Sequence, residues 1–263
     1  LFNYNHSRYV CPFTKHISFL FFMRLNKYLA KSGVASRRKS DKLIQAATTF
    51  VNGKLITDPA FNVKKDDVVK YDGQKLSLVT ETIVIMLNKP KNIITTAKDT
   101  HNRKTVLDLI PLQNRLFPIG RLDKDTTGLV FLTNNGELAN YLMHPKNRIP
   151  RIYQAEIEGK LNQKAIMKMK KGIYIGDGEF GRSEFVRQKT VKKRSIVTLK
   201  LYEGKKREIR RIFRFLKIKL FSLQRVQYGE IILGNLPTGH WRFLSEKETE
   251  ILKNNFTDRV KID

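Results

Sequence analysis

The first regular pattern of hydrophobic and polar residues predicts a small unit of two helices and a sheet. Leu25, Tyr28 and Leu29 fall on one face of a helix, and Ser36 suits the N-cap of a second helix. Asn52-Gly53 favours a hairpin turn, because both central residues of such a turn need positive φ. The strand-like runs beside and beyond this turn are 48–51, 54–56 and 68–71.

Beyond this unit, strand-like and helix-like segments alternate. The apolar run Ile83–Leu87 is typical of a buried strand. Later segments have strand-like spacing at 151–158 and 195–202, and helical spacing at 137–143, 163–171 and 206–216. This succession predicts a mixed α+β fold.

The pattern also divides the chain into three parts. Residues 1–22 mix aromatic residues, histidines and Cys11 without periodicity, and we interpret them as a disordered or non-native leader. The alternative is a short family-specific extension. A linker-like stretch at 76–81 then separates a small unit, 23–80, from a larger one, 81–263.

Charge narrows the class of partner. The chain has 263 residues, with 51 Lys and Arg against 24 Asp and Glu, so its formal net charge is +27. Such an excess favours a polyanionic partner, nucleic acid above all. A single cysteine excludes an internal disulfide framework, and no apolar run approaches the length of a membrane span. We therefore expect a reduced, cytoplasmic protein.

A loop at the centre of the chain contains an acidic residue between two cations. Asp123 lies between Arg121 and Lys124, and a strand-like run, an Asn-Gly turn and a helix follow. From spacing alone Asp123 is a turn-forming residue as readily as a catalytic one, and Asp125 competes for either role.

The helix predicted at 206–216 has two different faces. At about 100° per residue, Ile209, Ile212, Phe213 and Leu216 form an apolar stripe. Arginines cluster nearly opposite, at 207, 210, 211 and 214. A charged stripe is usually a solvated face, but such faces normally mix signs and this one is cationic.

The stretch Gly120–Leu129 resembles the central motif of the RsuA/RluB-type ribosomal RNA pseudouridine synthases, which is Gly-Arg-Leu-Asp, two variable residues, Thr, one variable residue, Gly-Leu. In that family the aspartate of the motif is catalytic. The resemblance therefore assigns catalysis to Asp123 and leaves Asp125 in a variable position. The arginine of the motif is associated with holding the flipped-out nucleotide, which makes Arg121 a substrate-binding candidate.

Further landmarks follow in the order of that family. Leu87–Lys91 resembles the opening strand and turn of the catalytic domain, with Asn92 where glycine is usual. Arg151-Ile152-Tyr153 resembles a Lys-x-Tyr segment, so Tyr153 inherits packing on the target base, although by itself it is an ordinary core aromatic. The resemblance also pairs Arg210 with the catalytic aspartate and places Leu223 in the pocket. We add Arg207 and Arg211 as substrate-binding candidates.

The unit 23–80 resembles the S-four-like RNA-binding domain that precedes the catalytic domain in this family. The likeness rests on Arg24-Leu25, on the segment from Ala35 to Arg38 and on Val51-Asn52-Gly53, with Ala46-Ala47-Thr48 replacing a glycine-containing turn. Its RNA-binding candidates are Arg24, Arg37, Arg38 and Lys39. The last three occupy the first turn of the second helix, where the helix dipole disfavours cations, so we favour a phosphate-binding cluster over ordinary surface charge.

Other binding motifs are weak. Residues 176–181 satisfy a dinucleotide-binding glycine spacing, but a basic, strand-like segment follows instead of a helix. The five histidines lack metal-ligand spacing, so we expect no metal and no cofactor.

The resemblance implies a small S-four-like domain followed by a pseudouridine synthase domain built on a mixed, mainly antiparallel sheet with flanking helices. It implies an isomerase that converts a specific uridine of ribosomal RNA, with large-subunit RNA favoured over small-subunit RNA. The expected partner is ribosomal RNA or a subunit precursor, and the expected state is a monomer that needs no protein partner. The alternatives are a non-catalytic RNA-binding assembly factor and a general DNA-binding protein.

Overall fold

The structure is a computed structural model, and it describes residues 22–112 and 114–252. The expectation for residues 1–22 therefore falls outside the described residues, apart from Phe22. The chain divides between Val79 and Thr80 into two compact units.

The first unit, as far as it is described, contains two helices and six short strands. The elements are β1 (Met23–Arg24), α1 (Leu25–Lys31), α2 (Arg37–Gln45), β2 (Thr49–Val51), β3 (Lys54–Leu55), β4 (Asn62–Val63), β5 (Val69–Tyr71) and β6 (Gln74–Lys75). Four strands pair antiparallel in the order β3-β2-β5-β6, and β1 pairs with β4. Both predicted helices and the predicted small sheet are confirmed.

Local chemistry explains how these elements begin and end. The Ser36 hydroxyl accepts a hydrogen bond from the backbone N–H of Lys39 at 3.3 Å and caps α2. Asn52 and Gly53 both have positive φ, 51° and 79°, as the predicted hairpin turn requires. The chain leaves α2 through Ala47 at φ 60°, a left-handed conformation that costs an alanine about 1–2 kcal/mol.

The second unit carries the larger sheet. Its elements are β7 (Val84–Lys89), β8 (Phe117–Ile119), β9 (Thr127–Thr133), α3 (Gly136–Met143), β10 (Arg151–Glu158), α4 (Gln163–Lys171), β11 (Ile173–Gly176), β12 (Glu179–Gly181), β13 (Glu184–Val191), β14 (Arg194–Leu201), α5 (Glu208–Phe215), β15 (Leu220–Tyr228), β16 (Ile231–Ile232) and β17 (Trp241–Phe243). Two 3-10 turns lie at Leu107–Leu109 and Pro145–Asn147, and residues 246–252 are helical.

Nine of the described strands form one sheet. Its main path is β13-β14-β10-β15-β9-β7-β17, with β16 on β15 and β8 on β9. Every pairing in this sheet is antiparallel except β9–β15, which is parallel. The predicted mixed, mainly antiparallel sheet is therefore confirmed.

Helices cover this sheet through distinct apolar clusters. Leu138 and Leu142 of α3 pack with β7 and β9, whereas α4 and α5 pack with β10 and β14. All six residues of β7 are buried: the apolar run predicted this for Val84–Leu87, and the strand continues through buried Asn88 and Lys89. The described part of the chain contains no helix long and apolar enough to cross a membrane.

The parallel pairing brings two backbones very close together. Gly128 of β9 lies opposite Arg225 of β15, with φ 102°. A Cβ atom on Gly128 would lie 2.2 Å from the carbonyl oxygen of Arg225, so a side chain has no room there. This contact fixes the start of β9, directly after the loop that contains Asp123.

Candidate active site

The loop that contains Asp123 is tied down by a buried lysine from the end of β7. The Lys89 ammonium donates to the carbonyl oxygens of Pro90 at 2.9 Å, Thr126 at 2.9 Å and Lys124 at 3.3 Å. Lys89 is completely buried, and this burial lowers its pKa to about 8, although Asp123 opposes the shift. Lys89 was not identifiable as a site residue from sequence, because its burial depends on a loop about 35 residues later.

A threonine holds the other side of the loop. The Thr95 hydroxyl donates to the carbonyl oxygen of Leu122 at 2.9 Å and lies 3.3 Å from the backbone N–H of the same residue. The backbone N–H of Thr126 donates to the carbonyl oxygen of Asp123 at 3.0 Å and closes the turn. Asp123 therefore extends from a backbone that is fixed on both sides.

Two arginines from the start of α5 face the Asp123 carboxylate. Its Oδ2 atom lies 3.6 Å from Nη1 of Arg207 and 3.7 Å from Nε of Arg210. Both are ion pairs longer than a hydrogen bond. The Nη2 atom of Arg210 donates to the Asp125 carbonyl oxygen at 3.0 Å and to the Thr126 hydroxyl at 3.2 Å. The pairing of Arg210 with Asp123 is thus present in the structure.

Burial changes the electrostatics of this cluster. It lowers the pKa of Arg210, and the nearby Arg207 lowers it further. An arginine nevertheless stays cationic in proteins, so both guanidinium groups attract the negative charge of Asp123. The Nε atom of Arg210 is buried without a hydrogen-bond partner, so it remains a donor aimed at the carboxylate.

Asp123 opens into a cleft of about 1310 Å³ in the second unit. Tyr153, Arg121 and Leu223 line the same cleft, as do Arg207 and Arg210, so six of the seven residues proposed from sequence for catalysis and substrate binding meet there. Asp125 is exposed and does not line it. Further cations of the lining are Lys124, Arg148, Arg151, Lys170, Arg182, Lys200, Lys205, Lys206 and Arg225, against three further acids, Glu184, Glu203 and Glu208. A cleft of this charge suits a phosphodiester chain.

Arg211 is the residue that the structure does not bring to the cleft. Its guanidinium donates to the carbonyl oxygens of Ile175 and Gly176, both at 2.7 Å, and pairs with Glu179 and Asp177. These contacts anchor the β11–β12 hairpin to α5, and the assignment of Arg211 as a substrate-binding residue stays a prediction. Successive helical residues differ by about 100°, so Arg211 points away from the side where Arg210 meets Asp123.

Two buried arginines of the cleft lining, Arg151 and Arg225, lie close to the ring of Tyr228. The guanidinium carbons of Arg151 and Arg225 each lie 4.9 Å from the Tyr228 ring centre. Arg151 donates to the carbonyl oxygens of Tyr202 and Leu142, and Nε of Arg225 donates to the Leu129 carbonyl oxygen at 2.7 Å. Arg225 was not identified from sequence. The signal available for it was its position two residues after Leu223, on the same face of a strand.

The glycine-rich segment 176–181 forms the turn and return strand of the β11–β12 hairpin. Strand β13 follows, so no helix N-terminus is available for a pyrophosphate. Among the described residues, no group of histidine, cysteine or acidic side chains could hold a metal ion.

The candidate cations of the first unit are all accessible. Arg24 precedes α1, and Arg37, Arg38 and Lys39 form the first turn of α2. All four are exposed, and that turn contains no acidic residue.

Two family models match the chain. Residues 83–215 match the model described as "RNA pseudouridylate synthase", and residues 23–69 match that of the "S4 domain". The first match contains Asp123, Tyr153 and Arg210.

Curated relatives and a solved structure cover most of the chain. The "Ribosomal large subunit pseudouridine synthase B" of Bacillus subtilis is 36% identical over 233 residues, which is 88% of this chain and 95% of that protein. The "Dual-specificity RNA pseudouridine synthase RluF" of Escherichia coli K12 is 34% identical over 86% of this chain and 77% of that protein. A structure titled "Crystal structure of pseudouridylate synthase" superposes with a TM-score of 0.62 at 25% identity, over 88% of this chain and 99% of that one.

Proposed function

Since the chain belongs to the RNA pseudouridylate synthase family and is an RNA pseudouridine synthase, we propose that it isomerises a specific uridine of large-subunit ribosomal RNA. The observation that carries the proposal is the placement of Asp123 in a cationic cleft, facing Arg207 and Arg210. The similarity to the ribosomal large subunit pseudouridine synthase B of Bacillus subtilis supports the choice of large-subunit RNA. Small-subunit RNA is the second candidate substrate.

The reaction exchanges one bond of the sugar for another. The bond between N1 of uracil and C1′ of ribose breaks, the base turns, and C5 bonds to C1′. The C5 proton leaves and N1 gains a proton, so the product is an isomer of the substrate. No oxidant, nucleotide or metal ion enters this balance.

In this proposal Asp123 acts on the sugar, either as a nucleophile or in forming a glycal-type intermediate. Arg210 and Arg207 stabilise its carboxylate through charge. Tyr153 stacks on the target base and assists removal of the C5 proton. Arg121 holds the flipped-out nucleotide, and Leu223 provides an apolar wall. Taking the base out of its stack costs a few kcal/mol, which contacts to the cationic cleft offset.

We further propose that residues 23–80 bind RNA through Arg24, Arg37, Arg38 and Lys39, and that residues 81–263 carry the chemistry. The enzyme acts as a cytoplasmic monomer on ribosomal RNA or a subunit precursor, without a protein partner. Family membership favours this enzyme over the non-catalytic assembly factor.

The test is release of tritium from C5-tritiated uridine in ribosomal RNA transcripts and in subunit precursor particles. We expect release by the wild type and none by Asp123→Asn, with RNA affinity largely retained because the substitution removes no cation. Asp125→Asn is the matched control, since it changes an exposed carboxyl on the same loop that does not line the cleft.

Turnover by Asp123→Asn would refute the catalytic assignment. Tight RNA binding without tritium release from either subunit's RNA would favour the assembly factor. Equal affinity for structured RNA and duplex DNA, with the same steep salt dependence, would indicate binding by charge alone.

A further inference from the structure

Two aromatic side chains stand exposed on the β11–β12 hairpin. Tyr174 and Phe180 occupy opposite positions of the two strands, and their ring centres lie 5.6 Å apart in an edge-to-face arrangement. Tyr174 is 50% exposed and Phe180 is 53% exposed. Neither ring is needed for the core, because the residues beside them already pack inward.

The other face of the hairpin is fixed to α5. Ile173 and Ile175 are buried in the same cluster as Ile212, and a Cβ atom on Gly181 would lie 3.0 Å from the Ile212 side chain. The Arg211 hydrogen bonds to the hairpin backbone, described above, add a polar anchor. The two rings are therefore presented on a rigid support.

This support is continuous with the cationic cleft. The Lys205 ammonium lines the cleft and donates to the carbonyl oxygen of Phe180. The buried carboxylate of Glu208 accepts from the backbone N–H groups of Arg182 and Lys205, at 3.1 and 3.2 Å, and joins these two lining residues. Lys170, at the end of α4 and directly before β11, also lines the cleft.

The local acids are already paired. Asp177 and Glu179 pair with Arg211, and Glu203 pairs with Lys205 at 2.7 Å. Lys170 and Arg182 are exposed beside the cleft. The lining of the cleft thus supplies cations for phosphate groups, and the adjoining hairpin supplies two exposed aromatic rings for bases.

These two features together fit single-stranded nucleic acid. Proteins that bind single strands follow the backbone with cations and stack bases on aromatic side chains. The bases of a duplex are already stacked inside it and cannot reach the two rings. A stable protein partner buries about 800 Å² on each side, more than two side chains provide.

We propose that Tyr174 and Phe180 form a stacking platform for an unpaired nucleotide of the substrate RNA, close to the target uridine, where the phosphate backbone passes over the exposed cations Lys170 and Arg182. This inference rests on the proposed function and makes it more specific: the enzyme selects uridines that have an unpaired neighbour. Recognition is then by base stacking at the edge of the cleft as well as by the flipped uridine inside it.

The test compares binding of two RNA probes by the full-length protein at one salt concentration. One probe is a 12-nucleotide oligoadenylate with a fluorescent label, and the other is a labelled 12-base-pair RNA duplex. For the double variant Tyr174→Leu/Phe180→Leu we expect the Kd for oligoadenylate to rise about 5- to 150-fold, as loss of a stacked base implies. The Kd for the duplex should stay within twofold.

Phe243→Leu is the matched control. Phe243 is 51% exposed and makes an edge-to-face pair with Trp241 at the same 5.6 Å, but it lies on β17, whose Trp241 packs against a different apolar cluster from the β11–β12 hairpin. It should leave both Kd values unchanged. Phe180→Trp should keep oligoadenylate binding, since it retains an aromatic face. With 2-aminopurine in the probe, wild type and Phe180→Trp should quench its fluorescence, and the double leucine variant should not.

Equal oligoadenylate affinity in wild type and the double variant would overturn the platform. An increase in the Kd for the duplex as large as that for oligoadenylate would also overturn it. Loss with Phe243→Leu to the same extent would also overturn it. The binding assay does not depend on catalysis, so its failure is distinguishable from that of the proposed function. A wild type that releases tritium but shows no stacking contradicts only the platform.

Discussion

Replacing Gly128 by alanine should destabilise the second unit by about 3 kcal/mol. The φ of 102° costs an L-residue about 1–2 kcal/mol. The new Cβ atom would lie 2.2 Å from the oxygen and 2.8 Å from the nitrogen of Arg225, and such overpacking costs about 1–3 kcal/mol. The lower entropy of the unfolded alanine chain offsets about 0.5–1 kcal/mol.

Gly159→Ala separates the two contributions. Gly159 also has positive φ, 66°, but nothing lies within 4 Å of its Cβ position, so only the backbone cost of about 1 kcal/mol applies. Urea unfolding followed by the fluorescence of Trp241, the one tryptophan of the chain, reports on this unit. If the two substitutions cost the same, the close approach of β9 and β15 is not as described. We also expect Gly128→Ala to reduce tritium release under conditions in which the variant remains folded, because β9 begins directly after the Asp123 loop.

Two further predictions concern stability. The pKa of Lys89 falls from 10.5 to about 8 on folding, so between these values the unfolded chain binds more protons and stability rises with pH. The free energy of unfolding of wild type relative to Lys89→Met should rise by about 2 kcal/mol between pH 8 and 10, and a constant difference would contradict the burial argument. Ala47→Gly should stabilise the first unit by about 1 kcal/mol by relieving a left-handed alanine, measured as slower exchange of the Ile44 amide hydrogen. Ala46→Gly, at φ −79°, should have the opposite sign.

Periodicity predicted the elements that have a regular apolar pattern of their own, whether their partners are near or far in the chain. The segments 137–143 and 163–171 proved to be α3 and α4, and the run at 151–158 proved to be β10. Strand β15 was not delimited from sequence, because only three of its nine residues are buried and one of these three is Arg225. Both of its main neighbours, β9 and β10, precede it by about 60 residues or more.

The candidate site shows the same limit. The motif around Asp123 could be recognised from sequence because its residues are consecutive. The helical wheel grouped Arg211 with Arg210, since it describes directions around an axis and says nothing about what covers each side. The hairpin that engages Arg211 is more than 30 residues away. Lys89 and Arg225 were not found for the same reason, as their partners come from the Asp123 loop and from Leu129.

The one parallel pairing of the large sheet bears on the order in which the protein becomes active during synthesis. Strand β9 leaves the ribosome about a hundred residues before β15, its neighbour on one side. Arg210, which faces Asp123, also emerges late, at the end of the same interval. A nascent chain that has reached residue 200 contains the whole Asp123 motif, yet neither the strand that supports it nor the arginine that pairs with it. Contacts of such long sequence separation form slowly, because the loop between them must first close. The proposed site is therefore incomplete on the growing chain until Arg210 and β15 have been made.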